Sequence, residues 1–393
     1  MSATYLMPTY NRQPISFTRG AGSWLYTKDD TPYLDALTGI AVCGLGHCHP
    51  QITEAIQQQA SLLVHTSNLY GIDWQERAGE SLCTAAQMDS VFFANSGAEA
   101  NEAALKLARL YAHNKGLKHP KVIVMEQSFH GRTFLALSAT ANPKAREGFF
   151  TLNDDFIRVP FGDIAAIKQA ATEHEDICAI FVEPIQGEGG LNTAANGFTY
   201  LEELQAECDA QDWLFMIDEV QTGNGRTGQY FAYQHSKARP DVLTTAKGLG
   251  NGFPVGACMV SGRAKELFGA GSHGSTYGGT PLASRVVHSV YEVLKDHDIM
   301  ANSVKEGQFI RDSITDELQQ YGVSSRGAGT MIGIVLPETM DCSTLVDRAR
   351  DEQKILINIT GGHVIRMLPP LNIKRNESEQ VVERMLNVLK PLF

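Results

Sequence analysis

The chain is 393 residues long, with 43% hydrophobic and 20% charged residues. This composition is that of an ordinary globular protein, and the length allows a large core and more than one domain. The formal net charge of −11 opposes non-specific binding to nucleic acid or to an anionic membrane, so we expect neither as a partner.

The seven cysteines are scattered along the chain and include no C-x-x-C pair. This usage indicates reduced thiols in a reducing compartment rather than a disulfide framework or a zinc site. The first eight residues lack a basic segment followed by an apolar core, and no apolar run reaches the roughly 18 residues of a spanning helix. We therefore expect a cytoplasmic location.

Residues 1–50 come first and are rich in turn-forming glycines. The middle of the chain then alternates short apolar runs with helical patterns, which predicts a largely parallel α/β sheet. The predicted strands are 90–94, 122–126, 177–183, 214–218, 242–245 and 255–261. Helices are predicted at 98–111, 163–173 and 200–211.

The last part of the chain has a different pattern. Helical patterns at 281–296 and 301–320 are followed by apolar runs at 332–336, 355–359 and 364–368, and by a final helix at 377–389. This predicts a smaller α+β domain assembled from both termini, residues 1–55 and 291–393, around a large domain at 56–290.

Two residues of the middle region point to pyridoxal phosphate. Asp218 ends a predicted strand, and Lys247 begins a glycine-rich loop after a later strand. A lysine amine forms a Schiff base with the cofactor aldehyde, and a carboxylate pairs with the pyridine nitrogen. That carboxylate keeps the nitrogen protonated, because a nearby opposite charge favours the charged form.

Other predicted strands also end in turns that carry polar residues. Ligand sites in open α/β sheets gather at the carboxyl ends of the strands, so these turns should converge. Ser96 and Glu99 have the spacing of a capping box, and Gly97 and Ala98 leave the start of that helix open to a phosphate. An ordinary capped helix is the alternative interpretation.

A second turn, Phe-His-Gly-Arg at 129–132, follows the predicted strand 122–126. Phe129 could lie against a flat ring, and Arg132 could bind a carboxylate with two hydrogen bonds. A core phenylalanine and a surface ion pair are the alternatives. The glycine-rich loop 272–281 could hold a phosphate or be a surface turn, and the spacing of His47 and His49 predicts a turn and no metal site.

A family resemblance joins these motifs. The run that begins at Asp218, Asp-Glu-Val-Gln-Thr-Gly-Asn-Gly-Arg-Thr-Gly, and the run that begins at Lys247, Lys-Gly-Leu-Gly-Asn-Gly-Phe-Pro-Val-Gly-Ala, resemble the signature of class III aminotransferases. The resemblance extends from about residue 39 to the carboxyl terminus. It implies fold type I, the cofactor pyridoxal 5′-phosphate and a homodimer with shared active sites.

The resemblance also implies individual roles. Lys247 would be the Schiff-base lysine, and Asp218 would pair with the pyridine nitrogen. The remaining cofactor contacts would be Ser96, Gly97 and Ala98 at the phosphate, Phe129 on the ring face, Gln221 at the ring hydroxyl, and Thr276 from the other subunit at the phosphate. Arg132 would bind the substrate α-carboxylate, with Ser275 nearby.

Within the family, residues 39–50, 65–68 and 366–370 resemble acetylornithine aminotransferases. Ornithine aminotransferases carry a tyrosine where this chain has Ile40, and an apolar residue suits an acylated nitrogen that bears no charge. Glu188 and Arg366 would form a switch, in which Arg366 is neutralised for the long amino substrate and freed for glutamate. A static ion pair is the alternative.

The implied reaction transfers the δ-amino group of N2-acetyl-L-ornithine to 2-oxoglutarate, giving N-acetyl-L-glutamate 5-semialdehyde and L-glutamate in arginine biosynthesis. Rival substrates are succinylornithine, succinyldiaminopimelate, with a dual role in lysine biosynthesis, ornithine and 4-aminobutyrate. An aminomutase that uses the same cofactor, and a catalytically silent binding module, are more distant alternatives.

Overall fold

The structure, a computed structural model, describes residues 5–149, 155–296 and 298–393. A seven-stranded central sheet dominates it. In spatial order its strands are Ser90–Ala94, Gly256–Val260, Val242–Thr245, Leu214–Asp218, Ile177–Val182, Lys121–Met125 and Phe156–Val159. Gly256–Val260 runs antiparallel to both of its neighbours, and the other strands run in one direction.

The central sheet is covered on both faces. Every residue of Ile177–Val182 and of Leu214–Asp218 is buried, as expected for parallel strands between two helical layers. Apolar clusters pack on the two sides, one around Phe215 and Ile217 and the other around Phe181 and Met216. The apolar runs that predicted these strands are thus the middle layer of the domain.

The helices pack around this sheet and around the terminal segments. They are Pro50–Leu62, Asp73–Ala86, Gly97–Asn114, Phe134–Ala139, Pro143–Arg146, Ile164–Glu173, Thr199–Gln211, Pro281–Leu294, Asp298–Leu318, Leu345–Gln353 and Arg375–Leu389. None of the helices in the described part of the chain has the length and apolar character needed to cross a membrane.

Two smaller sheets are formed by the ends of the chain. The first contains Arg19–Ala21, Trp24–Tyr26, Pro32–Asp35 and Ile355–Leu356, and the second contains Ser324–Ala328, Met331–Val335, Val364–Met367 and Asn358–Thr360. Leu34 and Ala36 share one apolar cluster with Ile310, Ile365 and Met385. Both termini therefore build one packed unit, and the predicted α/β fold with a smaller α+β part is confirmed.

The division into 1–55, 56–290 and 291–393 remains a proposal, which the shared terminal core supports. Residues 1–4, 150–154 and 297 of these segments lie outside the described residues.

Most predicted elements are confirmed, and one is wrong. Strands 90–94, 214–218 and 242–245 match the structure residue for residue. The predicted strand 355–359 is instead two strands in different sheets, since Ile355–Leu356 pairs with Leu34–Asp35 and Asn358–Thr360 pairs with Val364–Arg366. The apolar pattern of a run does not indicate where along it the pairing passes from one neighbouring strand to another. The helices Pro50–Leu62 and Asp73–Ala86 were missed.

Gly307 gives a test of the packing between the helix Asp298–Leu318 and the loop at Gly329. A methyl group on Gly307 would overlap the carbonyl oxygen of Gly329. We expect Gly307→Ala to lower the free energy of unfolding by about 1–3 kcal/mol through overpacking, although alanine is otherwise the better helix residue.

The matched control is Gly79→Ala, in the helix Asp73–Ala86. Its nearest neighbour would be Val91 Cγ1 at 3.4 Å, an ordinary contact. We expect this variant to be neutral or more stable by about 0.5–1 kcal/mol. Chemical denaturation of both variants measures the difference, and equal effects would contradict the packing described.

Candidate active site

The turns after the parallel strands enclose a cavity of about 380 Å3 at the carboxyl edge of the central sheet. Most of the predicted site residues line it, namely Ser96, Gly97, Ala98, Phe129, Arg132, Glu188, Asp218, Gln221 and Lys247. The convergence expected from the strand ends is therefore observed. Residues widely separated in sequence meet there because the strands are parallel and adjacent.

Asp218 lies at the floor of this cavity and is 4% exposed. Its Oδ2 accepts hydrogen bonds from Asn101 Nδ2 and from His130 Nδ1, each at 2.8 Å. Its Oδ1 accepts one from the backbone N–H of Val220 at 3.0 Å. A buried carboxylate needs such donors, because desolvation of an unpaired charge is costly. The position of the carboxylate is thereby fixed.

Asn101 and His130 are functional candidates that sequence reasoning missed. Asn101 Oδ1 accepts a hydrogen bond from Thr244 Oγ1 at 2.6 Å, and the ring of His130 stacks on Phe181 with 4.4 Å between centroids. His130 belongs to the Phe-His-Gly-Arg turn, so the motif itself was the available signal. Asn101 carried no signal beyond its place one turn into a helix.

Lys247 lies in the same cavity, in the loop that follows the strand Val242–Thr245. Its backbone is left-handed, with φ of 47°, and such outliers cluster at functional sites. Burial lowers the pKa of its amine to about 8. The positive charge of Arg366 also lowers this pKa, whereas the nearby carboxylates raise it, namely those of Glu188, Asp218 and Glu183. Near neutral pH a useful fraction of the amine is therefore unprotonated.

The helix Gly97–Asn114 begins at the cavity wall. Ser96 Oγ accepts a hydrogen bond from the N–H of Glu99 at 3.2 Å, so the predicted cap is present. A Cβ on Gly97 would lie 2.7 Å from Val220 Cγ1, and only glycine allows this close approach. The first turn of an eighteen-residue helix thus presents backbone N–H groups and its positive dipole end to the cavity.

The turn with Phe129 and Arg132 forms another wall. The N–H of Phe129 donates to Glu183 Oε1 at 2.9 Å, and the guanidinium of Arg132 lies 5.6 Å from the Phe129 ring centroid. Arg132 is exposed to solvent at the cavity mouth. Burial raises the pKa of Glu183 to about 7, against the opposing effect of His130. Glu183 ends a predicted strand, which was the signal for this additional candidate.

Glu188 and Arg366 form an ion pair of 2.6 Å beside Lys247. The fully buried Arg366 also donates to Asn358 Oδ1 at 3.0 Å, to the carbonyl of Gly187 at 3.1 Å and to Gln221 Oε1 at 3.3 Å. Burial alone would raise the pKa of Glu188, but Arg366 outweighs it and lowers that pKa. Arg366 Nη2 is buried and finds no partner among the described residues.

Four predicted residues lie outside the cavity wall of this single chain: Ser275, Thr276, Ile40 and the buried Arg366. Ser275 Oγ accepts hydrogen bonds from Asn95 Nδ2 at 3.1 Å and from the N–H of Gly278 at 2.9 Å, and Thr276 is exposed. Ile40 is half-buried two residues before Val42, which lines the cavity, and has φ of 66° and ψ of 66°. A left-handed backbone costs an L-residue about 1–2 kcal/mol, and a β-branched residue there is an outlier.

The side chain of His47 pairs with the carboxylate of Asp35. Its Nε2 is 2.7 Å from Asp35 Oδ2. Residues 5–149, 155–296 and 298–393 contain no group of three or more histidine, cysteine, aspartate or glutamate side chains arranged to hold a metal ion.

With this geometry established, the comparisons define the class of protein. Residues 5–389 match the family model described as Aminotransferase class-III. The chain belongs to this family, and the resemblance seen in its motifs is confirmed. Class III aminotransferases depend on pyridoxal phosphate, so this protein is a pyridoxal phosphate-dependent aminotransferase.

Individual relatives narrow the comparison. The chain is 48% identical to the acetylornithine aminotransferase of Nitrosomonas europaea over 96% of each chain. It is 42% identical to acetylornithine aminotransferase 1 of Bordetella bronchiseptica, over 97% of this chain and 96% of the relative.

Solved structures resemble the whole fold. The ornithine aminotransferase of Toxoplasma gondii, which has partial occupancy of PLP at its active site, superposes with a TM-score of 0.93 at 31% identity, over 99% of this chain and 92% of that one. The N-acetylornithine aminotransferase of Stenotrophomonas maltophilia superposes with a TM-score of 0.85 at 32% identity, over 97% of each chain. Fold type I is therefore confirmed.

The residues of the cavity fit this cofactor. A phosphate requires a concentration of N–H donors, and the open start of the helix at Gly97 supplies them. A pyridine ring requires a fixed carboxylate, and Asp218 is held by three donors. An aldehyde requires an amine that is partly neutral, and burial gives Lys247 that property. These three groups border one cavity.

The lowered pKa of Lys247 predicts how the cofactor-free protein reacts with an aldehyde. The ordinary lysine pKa is 10.5, and the folded value is about 8. Only the neutral amine reacts, so pulsed reductive methylation of Lys247 should rise between about pH 7 and 9 and then level off. Peptide mass spectrometry over a pH series measures this.

Lys295 is the internal control. Its hydrogen bond to Glu292 raises the pKa of its exposed amine. Its labelling should still be rising where that of Lys247 has levelled off. Parallel profiles for the two lysines would contradict the environment described for Lys247.

Proposed function

We propose that the chain is an acetylornithine aminotransferase. It moves the δ-amino group of N2-acetyl-L-ornithine to 2-oxoglutarate, and the products are N-acetyl-L-glutamate 5-semialdehyde and L-glutamate. This is a step of arginine biosynthesis. The observation that carries the proposal is full-length likeness to several acetylornithine aminotransferases at 40–48% identity.

The chemistry centres on Lys247 and Asp218. When bound, pyridoxal phosphate supplies the electron sink that allows a C–H bond beside an amino group to break. Lys247 is the general base for the proton on that carbon, and its pKa of about 8 suits work near neutral pH. Asp218 holds a negative charge at a fixed point of the cavity floor, where the ring nitrogen of the cofactor would lie.

The other site residues divide between cofactor and substrate. Ser96, Gly97 and Ala98 would hold the phosphate, Phe129 would cover the ring and Gln221 would contact its hydroxyl. Arg132 is an exposed cation at the cavity mouth, which suits the α-carboxylate of the incoming substrate. Ile40 presents an apolar side chain to an α-nitrogen whose charge has been removed by acylation.

Glu188 and Arg366 provide for two substrates in turn. In the ion pair, the carboxylate of Glu188 balances the charge of Arg366, so the uncharged side chain of an amino donor can lie beside it. When glutamate or 2-oxoglutarate is bound, Glu188 turns away and Arg366 takes the second carboxylate. The buried Nη2 of Arg366, which has no described partner, supports this second use. A static ion pair remains the alternative.

We further propose a homodimer with shared active sites. Thr276 and Ser275 would then reach the cavity of the other subunit, with Thr276 at the phosphate. Large apolar side chains near that loop support this, since Leu69 is 86% exposed, Tyr70 is 67% exposed and Tyr277 is 65% exposed.

We also propose a cytoplasmic location. All seven cysteines of the chain are free thiols, which suits a reducing compartment.

The ion pair can be tested with Glu188→Gln, which keeps the shape and removes the charge. Arg366 is then unbalanced beside an uncharged amino donor, so kcat/KM for N2-acetylornithine should fall about tenfold or more. The half-reaction with glutamate should stay within about threefold. Single-turnover kinetics for each half-reaction separates the two effects.

Glu338→Gln is the matched control, because it makes the same charge change on an exposed residue. It should alter neither half-reaction. Equal losses of both half-reactions in Glu188→Gln would favour the static pair.

A substrate panel tests the proposed function itself. Purified holoenzyme is offered N2-acetylornithine, N-succinylornithine, succinyldiaminopimelate, ornithine and 4-aminobutyrate, each with 2-oxoglutarate, and the values of kcat/KM are ranked. We expect the N-acylated donors to exceed ornithine by about tenfold or more, because a pocket built for an uncharged group rejects a charged amine. A preference for ornithine or 4-aminobutyrate would overturn the substrate assignment, and turnover without 2-oxoglutarate would indicate an aminomutase.

A further inference from the structure

The segment Thr38–Ala41 has an unusual backbone. Its residues Thr38, Gly39, Ile40 and Ala41 have φ of 49°, 66°, 66° and 63°, so one full turn is left-handed. Only Gly39 adopts this conformation without steric strain. Such a turn persists when its surroundings determine it strongly, and strain of this kind concentrates at functional sites.

Two side chains hold the turn at its start. Asp35 Oδ1 accepts hydrogen bonds from the N–H of Leu37 at 2.9 Å and from the N–H of Thr38 at 2.8 Å. Thr38 Oγ1 donates to the carbonyl of Leu368 at 2.7 Å, and both Asp35 and Thr38 are buried. The turn is thus attached to the chain just beyond the strand that carries Arg366.

A third contact secures Asp35. Its Oδ2 pairs with His47 Nε2 at 2.7 Å. Burial alone would lower the pKa of His47, but the Asp35 carboxylate and the Cys43 thiol outweigh it and raise that pKa to about 10. His47 therefore carries a positive charge at neutral pH, and its hydrogen bond to Asp35 is charge-assisted.

The far end of the turn lies against the active site. Val42 follows the turn directly and lines the cavity. The carbonyl oxygen of Ala41 would be 3.7 Å from a Cβ on Gly248, the residue after Lys247. Ile40 packs with the apolar cluster that contains Leu368. The turn therefore connects the Lys247 loop with the segment just beyond the strand of Arg366, and it leads directly into Val42 of the cavity wall.

We propose that Thr38 and Asp35 are positioning residues for substrate selection: they hold the turn so that Val42 stands in the cavity wall, with Ile40 two residues before it, and this apolar segment faces the acylated end of the amino donor. This inference rests on the proposed function, because it assumes a donor with an uncharged acyl group. Neither Thr38 nor Asp35 lines the cavity, so both act through the turn. The glutamate half-reaction depends on Arg132 and Arg366 and does not need this wall.

Thr38→Val is the decisive variant. Valine keeps the β-branched shape and the volume, so it removes only the hydroxyl that donates to Leu368. We expect KM for N2-acetylornithine to rise about tenfold, with kcat for that donor and KM for glutamate within about twofold. Thr38→Ser keeps the hydroxyl and should restore the wild-type KM. Steady-state and single-turnover kinetics of the holoenzyme measure these values.

Ser303→Ala is the structural control. Ser303 is fully buried and donates to the carbonyl of Met300 at 2.8 Å, so this variant loses a comparable hydrogen bond away from the cavity. It should lower Tm with no change in either KM. If Thr38→Val also lowers Tm alone, or raises KM for donor and glutamate equally, the positioning role is overturned.

The two proposals fail in different ways. If the wild-type enzyme prefers ornithine to N2-acetylornithine, the proposed function fails. The inference is overturned when Thr38→Val leaves the ratio of kcat/KM between acylated and free donors unchanged, even if the wild-type enzyme prefers N2-acetylornithine.

Discussion

The buried carboxylate of Asp218 is the interaction on which the site depends. Its three hydrogen-bond donors come from the helix Gly97–Asn114 through Asn101, from the turn after Lys121–Met125 through His130, and from its own turn through Val220. Each of these donors offsets part of the cost of burying a carboxylate. The carboxylate thereby fixes the relative positions of the walls that surround the cavity.

The charges around the cavity follow the same logic. Burial favours the neutral form of every isolated group, so the pKa of Lys247 falls to about 8 and the pKa of Glu183 rises to about 7. Glu188 departs from this rule because Arg366 is in contact with it. The cavity consequently contains groups that stay charged and groups that exchange protons near neutral pH, a division typical of acid–base catalysis.

The sequence predicted the residues that line the cavity better than the residues that hold them in place through hydrogen bonds. Strand ends and glycine-rich turns mark Ser96, Asp218 and Lys247, because local pattern and parallel topology are enough to bring them together. Asn101 was missed because its role is a hydrogen bond to a residue 117 positions away, which no local pattern records. The left-handed turn at Thr38 was missed for a related reason, since hydrogen bonds to Asp35 and Leu368 impose its conformation against local preference.

The pairing of Ile355–Leu356 with Leu34–Asp35 has a consequence for biosynthesis. The ribosome must extend the chain past residue 356 before the first small sheet can close, and Arg366 follows even later. Contacts of such wide sequence separation form slowly, because the intervening loop must be closed first. The central sheet and the cavity walls at its strand ends can therefore assemble early, whereas Arg366 joins Glu188 only as synthesis ends.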